Sequence, residues 1–224
     1  IKKGIRPCSG IGSSGASAAG GAYVAHILCG EKLSPKELVL CAAHAEDVTS
    51  GGFHADNVAP CILGGFTIIR SYEPFDVMPI RPPEDLGIVI AMPDVLVATK
   101  EARAILPHEV SVKDMVFQIG NAASMVYGMM SGDMKVIARS VNDAFSEPHR
   151  AQLVPYLKEA ESVAKSNGAI ASFLGGSGPC IISFFNKSSH EGEHIAESIR
   201  AMYAEHEMKC DTWITEPGSG CRRI

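Results

Sequence analysis

The chain lacks a Cys-x-x-C pair, a long apolar run and any excess of positive charge, and only 6% of it is aromatic, with a single Trp. Each absence removes a class of function. Without paired cysteines, the seven at positions 8, 29, 41, 61, 180, 210 and 221 make no dithiol redox site; they read as reduced, small core residues of a cytoplasmic protein. No apolar stretch reaches the roughly 18 residues of a membrane span, and no secretory leader is expected. A formal net charge of −5 carries no footprint of a nucleic-acid or membrane partner, so an anionic substrate has to be met by a few placed arginines. The chain does have 224 residues, 46% of them hydrophobic, enough for one large or two small domains.

It also has an unusual Gly/Ser stretch near its start, Arg6-Pro7-Cys8-Ser9-Gly10-Ile11-Gly12-Ser13-Ser14-Gly15-Ala16-Ser17-Ala18-Ala19. Such a loop turns several backbone N–H groups and hydroxyls to one spot, and the helix behind it adds the positive end of its dipole. It is a phosphate cradle. Gly10 to Gly15 fits G-x-G-x-x-G, but Lys2 to Cys8 is too polar for the buried strand that a dinucleotide fold needs there. A second helix, opened by the capping box Ser34-Pro35-Lys36-Glu37, follows where a second strand would stand. No Lys stands at Walker spacing.

The loop resembles the phosphate motif of the GHMP small-molecule kinases, and two more of their motifs follow in order. Glu46, then His54-Ala55-Asp56-Asn57-Val58-Ala59-Pro60 and Gly64-Gly65, resemble the metal-binding Glu and substrate segment; Leu174-Gly175-Gly176-Ser177-Gly178-Pro179 resembles the third glycine motif. Within the superfamily the likeness is to the homoserine kinases and extends over the whole chain. It implies an α+β, two-domain fold: an incomplete N-terminal ATP-binding domain with a left-handed crossover over residues 1–85, and a ferredoxin-like C-terminal domain over 86–224. In that family a long segment precedes the phosphate loop, so the chain reads as N-terminally truncated and inactive by itself.

The pattern predicts helices over 14–28, 34–47, 112–130, 134–143 and 152–166, with Thr99 capping a short helix and Thr49 to Gly52 breaking the second one. Leu38, Leu40, Cys41, Ala42 and Ala45 are expected on the inner face of that second helix. Residues 54–60 are expected to be extended, with strands over 62–70, 77–81, 86–92, 169–174, 180–185, 212–215 and 221–224.

The resemblance implies transfer of the ATP γ-phosphoryl group to the hydroxyl of L-homoserine, in threonine biosynthesis. Pro7, Ser9, Gly10, Ile11, Gly12, Ser13, Ser14 and Gly15 would hold the phosphates, with Ser14 and Glu46 on Mg²⁺. Plainer readings stay open: Ser14 as a capping hydroxyl, Glu46 as a solvated charge. Asn57 stands where related kinases keep an aspartate. An amide has no proton affinity near neutral pH, so it can orient an alcohol but not deprotonate it. Asp56 beside it would face away in an extended segment, and Asn57 is equally a turn residue. Arg103 and Arg150 match substrate arginines able to grip a carboxylate, and Thr99, His54 and Gly176 match other contacts; an Arg after Pro-His is otherwise a surface charge, and His54 a structural histidine. A homodimer follows from the resemblance alone. Another alcohol, such as shikimate or mevalonate, and a non-catalytic relative are the alternatives.

His190-Glu191-Gly192-Glu193-His194 fits the H-E-x-x-H zinc expression. Ser188 and Glu191 read as a capping box, which puts the motif at the exposed start of the last helix, whose buried face is Ile195, Ile199, Met202 and Tyr203.

Overall fold

The Gly/Ser loop turns into helix α1 (Ser13–Leu28) at Gly12, whose φ of 73° is a left-handed turn that a residue with a Cβ adopts only under strain. The computed structural model describes residues 2–50 and 52–223. They form two units. One takes the chain up to Pro7, Gly12–Pro82 and the chain from Pro217; the other takes Cys8–Ile11 and Pro83–Glu216.

In the first unit the capping box forms as read. The Ser34 N–H and hydroxyl donate to Glu37 Oε2 at 2.7 Å each, and the Glu37 N–H donates back to Ser34 Oγ at 3.3 Å. Helix α2 (Pro35–Ser50) continues past Asp47 through Thr49 and Ser50, where a break is expected, and Gly51 of that break lies outside the described residues. Its inner face is Leu38, Val39, Ala42, Ala43 and Glu46, while Cys41 and Ala45 are exposed, because the apolar residues alone left the helix phase open by one position. Helix α3 (Val58–Leu63) replaces the expected extended segment and takes Ile62 and Leu63 from the expected strand. Val58, Ala59 and Ile62 bury against α1 and α2, and Pro60 sits in the first turn, where a missing N–H costs nothing. Strands β1 (Phe66–Tyr72) and β2 (Phe75–Ile80) pair antiparallel.

The second unit is a β-α-β-β-α-β arrangement. Strands β3 (Leu86–Pro93), β4 (Ala171–Leu174), β5 (Ile181–Asn186) and β6 (Cys210–Thr215) form one antiparallel sheet in the order β4-β5-β3-β6. Between β3 and β4 run α4 (Thr99–Ala104), α5 (Val112–Ser131), α6 (Met134–Ser140), α7 (Glu147–Arg150) and α8 (Leu157–Ser166); α9 (Gly192–Glu205) links β5 to β6. The core gathers Val89, Ile181 and Phe185 of the sheet with Leu157, Ile195, Ile199, Met202 and Tyr203 of the helices.

Several expectations change here. The helix expected over 152–166 is a short 3₁₀ turn at Ala151–Leu153 and then α8, since Val154 precedes a proline and is driven to an extended φ,ψ of −121°, 102°. The helix from Met134 ends at Ser140. Thr99 is the first residue of α4; Ala98 is at its N-cap, with no side-chain cap bond. The Ser188–Glu191 box does not form, because the Ser188 N–H and hydroxyl both donate to the Asp85 carboxylate at 2.8 Å. His190 sits before α9 with φ 58°, so His190 and His194 do not share a helix face. Residues 221–223 form no strand. Cys180 and Cys210 are buried, Cys61 and Cys221 half-buried, and Cys8, Cys29 and Cys41 exposed, so only part of the cysteine set is core. No helix among the described residues is long and apolar enough to cross a membrane.

Ser172 and Ser183 sit opposite each other on β4 and β5, fully buried, with hydroxyls 2.9 Å apart. Each is the other's partner. Either single change to Ala should lower unfolding stability by about 1–3 kcal/mol, because it strands the second hydroxyl, whereas the double change should recover part of that loss in urea unfolding.

Candidate functional site

In the first unit, α1 begins without any side chain bonded to its first amides: Gly12 at the N-cap offers none, and no acidic residue stands in the first turn. Backbone donors and the positive dipole end are therefore left for an anion. The Ser13 hydroxyl donates to the Ile5 carbonyl at 3.0 Å, so Ser13 offers its amide and not its side chain. Ser14 is not the helix cap. Its exposed hydroxyl donates to Glu46 Oε1 at 2.6 Å, and the Glu46 side chain lies on the inner face of α2 with the residue only 7% exposed. Glu46 is thus no solvated surface charge.

These two hard oxygens suit a cation of the Mg²⁺ type, which is commonly held by one or two protein ligands with phosphate oxygens completing the shell. Among the described residues no group of three or more His, Cys, Asp or Glu could hold a metal.

Asn57 lies against the same turn. A Cβ added at Gly12 would stand 2.6 Å from Asn57 Oδ1, and one at Gly15 would stand 2.8 Å from Asn57 Cβ. The two glycines make room for that side chain. Asn57 occupies the N-cap position of α3 without a side-chain cap bond, and Asp56 is an exposed turn residue, so the argument from an extended segment does not apply to it. The segment is held by Tyr72, whose hydroxyl accepts from the Ala55 N–H at 3.3 Å, and by Phe53, packed edge-on to Tyr72 and against His44. His54 is half-buried, with its Nε2 2.8 Å from where a Cβ at Gly52 would be.

In the second unit, the phosphate-loop residues Ser9 and Gly10 meet the third glycine motif. The Cys180 N–H donates to the Ser9 carbonyl at 3.3 Å, and a Cβ at Gly10 would overlap the carbonyls of Gly175 and Gly178. Backbone lies on backbone. Among the described residues the buried Ser9 hydroxyl has no hydrogen-bond partner, an orphaned donor in the loop that a phosphate oxygen would satisfy. Pro7 is exposed and Ile11 half-buried.

Thr99 and Arg103 are exposed and stand four residues apart on α4, hence on one face. The Arg150 Nε donates to the Ala102 carbonyl at 2.9 Å and its Nη1 to the Gly176 carbonyl at 3.0 Å. Gly176 therefore serves Arg150 through its carbonyl. Burial pulls the Arg150 pKa below the ordinary arginine value; nearby Asp143 opposes this, and the charge of nearby Arg103 adds to it. Two guanidiniums held near each other favour a bound anion. Both arginines are visible in the sequence; the backbone carbonyls of Ala102 and Gly176 that hold Arg150 are not, because each lies far from it along the chain.

The N-terminal domain of the GHMP kinases matches residues 1–65, and the C-terminal domain of the GHMP kinases matches residues 125–205. The chain is 42% identical over 222 residues to homoserine kinase of Methanococcus maripaludis, covering 99% of this chain and 70% of that protein. It is 39% identical to homoserine kinase of Pyrococcus horikoshii, covering 99% and 73%. The crystal structure of homoserine kinase from Cytophaga hutchinsonii superposes with a TM-score of 0.92 at 34% identity, covering 97% of this chain and 69% of that one. L. major mevalonate kinase shares the fold, at 17% identity and a TM-score of 0.72, covering 96% of this chain and 69% of that one.

Gly12→Ala should lower unfolding stability by about 1–3 kcal/mol, through its positive φ and its collision with Asn57. Gly20→Ala, in mid-α1 with nothing within 4 Å of the new methyl, should instead raise it by about 0.5–1 kcal/mol in the same urea titration.

Proposed function

The chain belongs to the homoserine kinase family of the GHMP kinases, and on that footing we propose that it transfers the γ-phosphoryl group of ATP to the side-chain hydroxyl of L-homoserine, giving O-phosphohomoserine for threonine biosynthesis. The observation that carries this reading is Asn57: an amide, not a carboxylate, packed on Gly12 and Gly15 at the start of the phosphate-binding helix.

The uncapped amides of α1 and the loop from Ser9 to Gly15, reached through Pro7, bind and orient the triphosphate, and phosphoryl transfer asks for little beyond such positioning and neutralisation of charge. Ser14 and Glu46 would hold Mg²⁺, which would supply neutralisation of the phosphate charge. Asn57 orients the attacking hydroxyl and takes no proton; the proton leaves through phosphate or water, so transfer is direct and in line. Arg103 and Arg150 grip the substrate carboxylate, with Thr99 and His54 as further contacts and Gly176 fixing Arg150. The reduced thiols suit a cytoplasmic setting.

Coupled ADP release by the full-length gene product should require L-homoserine and be absent with shikimate or mevalonate; the reverse preference would move the chain to another GHMP substrate, and ATP binding without turnover would make it a non-catalytic relative. Glu46→Gln should cut Mg²⁺-dependent turnover at least about a hundredfold with the unfolding midpoint retained, and near-normal rates would remove Glu46 from the metal role. Arg103→Ala should raise KM for homoserine while leaving KM for ATP in place.

A homodimer is part of the proposal. Val112, Val116, Ile119, Ala123, Val126 and Met130 follow heptad spacing on α5, away from the α6-facing Gly128 and Met129, and the set is symmetric about Asn121. Five of the six are exposed, Val112 and Met130 by 72% and 71%, and an antiparallel pair of α5 helices about a two-fold would match this set to itself. Ile119→Lys should convert a dimer to a monomer in light scattering, whereas a monomeric parent protein would contradict the pairing.

A further inference from the structure

We infer that Glu147 is a positioning residue for substrate binding, its carboxylate locking the segment that carries Arg150 to the loop that carries the Arg150 acceptor. The inference rests on the reading of Arg150 as a substrate arginine. Helix α7 has only four residues, Glu147 to Arg150, and a single turn has no stability of its own. Something outside it must fix its place.

Two carboxylates do so. Asp143, just upstream, accepts from the N–H groups of Phe145, Ser146 and Glu147 at 2.7, 3.0 and 2.8 Å, which anchors the start of the turn. Glu147 then reaches across the unit, where its Oε2 accepts from the Leu174 N–H at 2.9 Å and its Oε1 pairs with Lys158 of α8. Leu174 lies two residues before Gly176, the residue whose carbonyl accepts from Arg150 Nη1. Arg150 follows Glu147 by one turn. A single side chain therefore ties both the segment that delivers the guanidinium and the loop that receives it.

The charges around this tie argue that its role is placement. The Glu147 side chain is 15% exposed and Glu161 only 7%, yet both carboxylates share the one ammonium of Lys158. Burial pushes the Glu161 pKa up, against the pull of Lys158, and the neighbouring Glu147 charge pushes it the same way. Two largely buried carboxylates on one mostly exposed ammonium, with the Lys165 charge also acting on Glu161, are a poor source of stability compared with apolar packing. What they do provide is direction, since the Leu174 amide and the Lys158 ammonium fix both oxygens of Glu147 at once.

The test compares Glu147→Ala, Glu147→Gln and Arg150→Ala in the full-length gene product, with KM for homoserine, KM for ATP and kcat measured for each, and the double variant Glu147→Ala/Arg150→Ala beside them. Glu147→Ala should raise KM for homoserine about tenfold or more with KM for ATP unchanged within about twofold, and Glu147→Gln, which keeps an acceptor for Leu174, should recover part of the loss. In the double variant the Glu147 change should add nothing to the Arg150 change, because it acts through that residue. Full additivity, or a KM for homoserine unmoved in both Glu147 variants while Arg150→Ala raises it, overturns the positioning role and leaves the substrate reading intact. An unmoved KM in Arg150→Ala itself instead overturns the substrate reading. Should Glu147→Ala fail to fold, Glu147→Gln carries the same comparison.

Discussion

Close approach of the chain to itself, permitted only by glycine, shapes the loop from Gly10 to Gly15. At Gly10 the α-carbon sits where a methyl group would overlap the carbonyls of Gly175 and Gly178, and at Gly12 and Gly15 it sits under the Asn57 side chain. Gly10 and Gly12 also take positive φ, so sterics and backbone conformation select the same residue. The room left at Gly12 and Gly15 brings Asn57 to the start of α1, where the N-cap glycine offers no side chain. The phosphate loop is built by packing before any phosphate is considered.

Each unit, taken by itself, also carries one electrostatic device. In the first, a hydroxyl and a carboxylate from two helices meet at 2.6 Å, with the carboxylate on the face of α2 that otherwise buries Leu38, Val39, Ala42 and Ala43. A charge in that stripe has no packing reason to be there. In the second, two guanidiniums are kept near each other, one of them braced by the carbonyls of Ala102 and Gly176.

Much of this was legible in the sequence, for reasons that differ by residue. The loop from Pro7 to Gly15, the box at Ser34 and Glu37, helix α1 and strand β3 are local patterns, and they stand where the pattern puts them. The segment from His54 to Pro60 reads as extended, yet its last three residues open α3, where a proline in the first turn is tolerated. The phase of α2 was misread because Cys41 and Ala45 count as apolar but carry too little surface to choose a face. The Ser188 box failed because Asp85, far away in sequence, competes for the same donors. Glu147 was missed for a related reason: its partners Lys158 and Leu174 become neighbours only when α8 and β4 pack together. Motifs made of adjacent residues survive translation into sequence, and ties between distant segments do not.

In the proposed reaction an amide-oriented hydroxyl takes the γ-phosphoryl group directly from ATP. Phosphorus NMR of the full-length gene product with ATP, Mg²⁺ and L-homoserine tests it most directly, since the product itself is observed. One phosphate monoester on the homoserine hydroxyl for each ADP formed is the predicted result. ADP accompanied by inorganic phosphate with no ester, or an ester formed with mevalonate in place of homoserine, would contradict it.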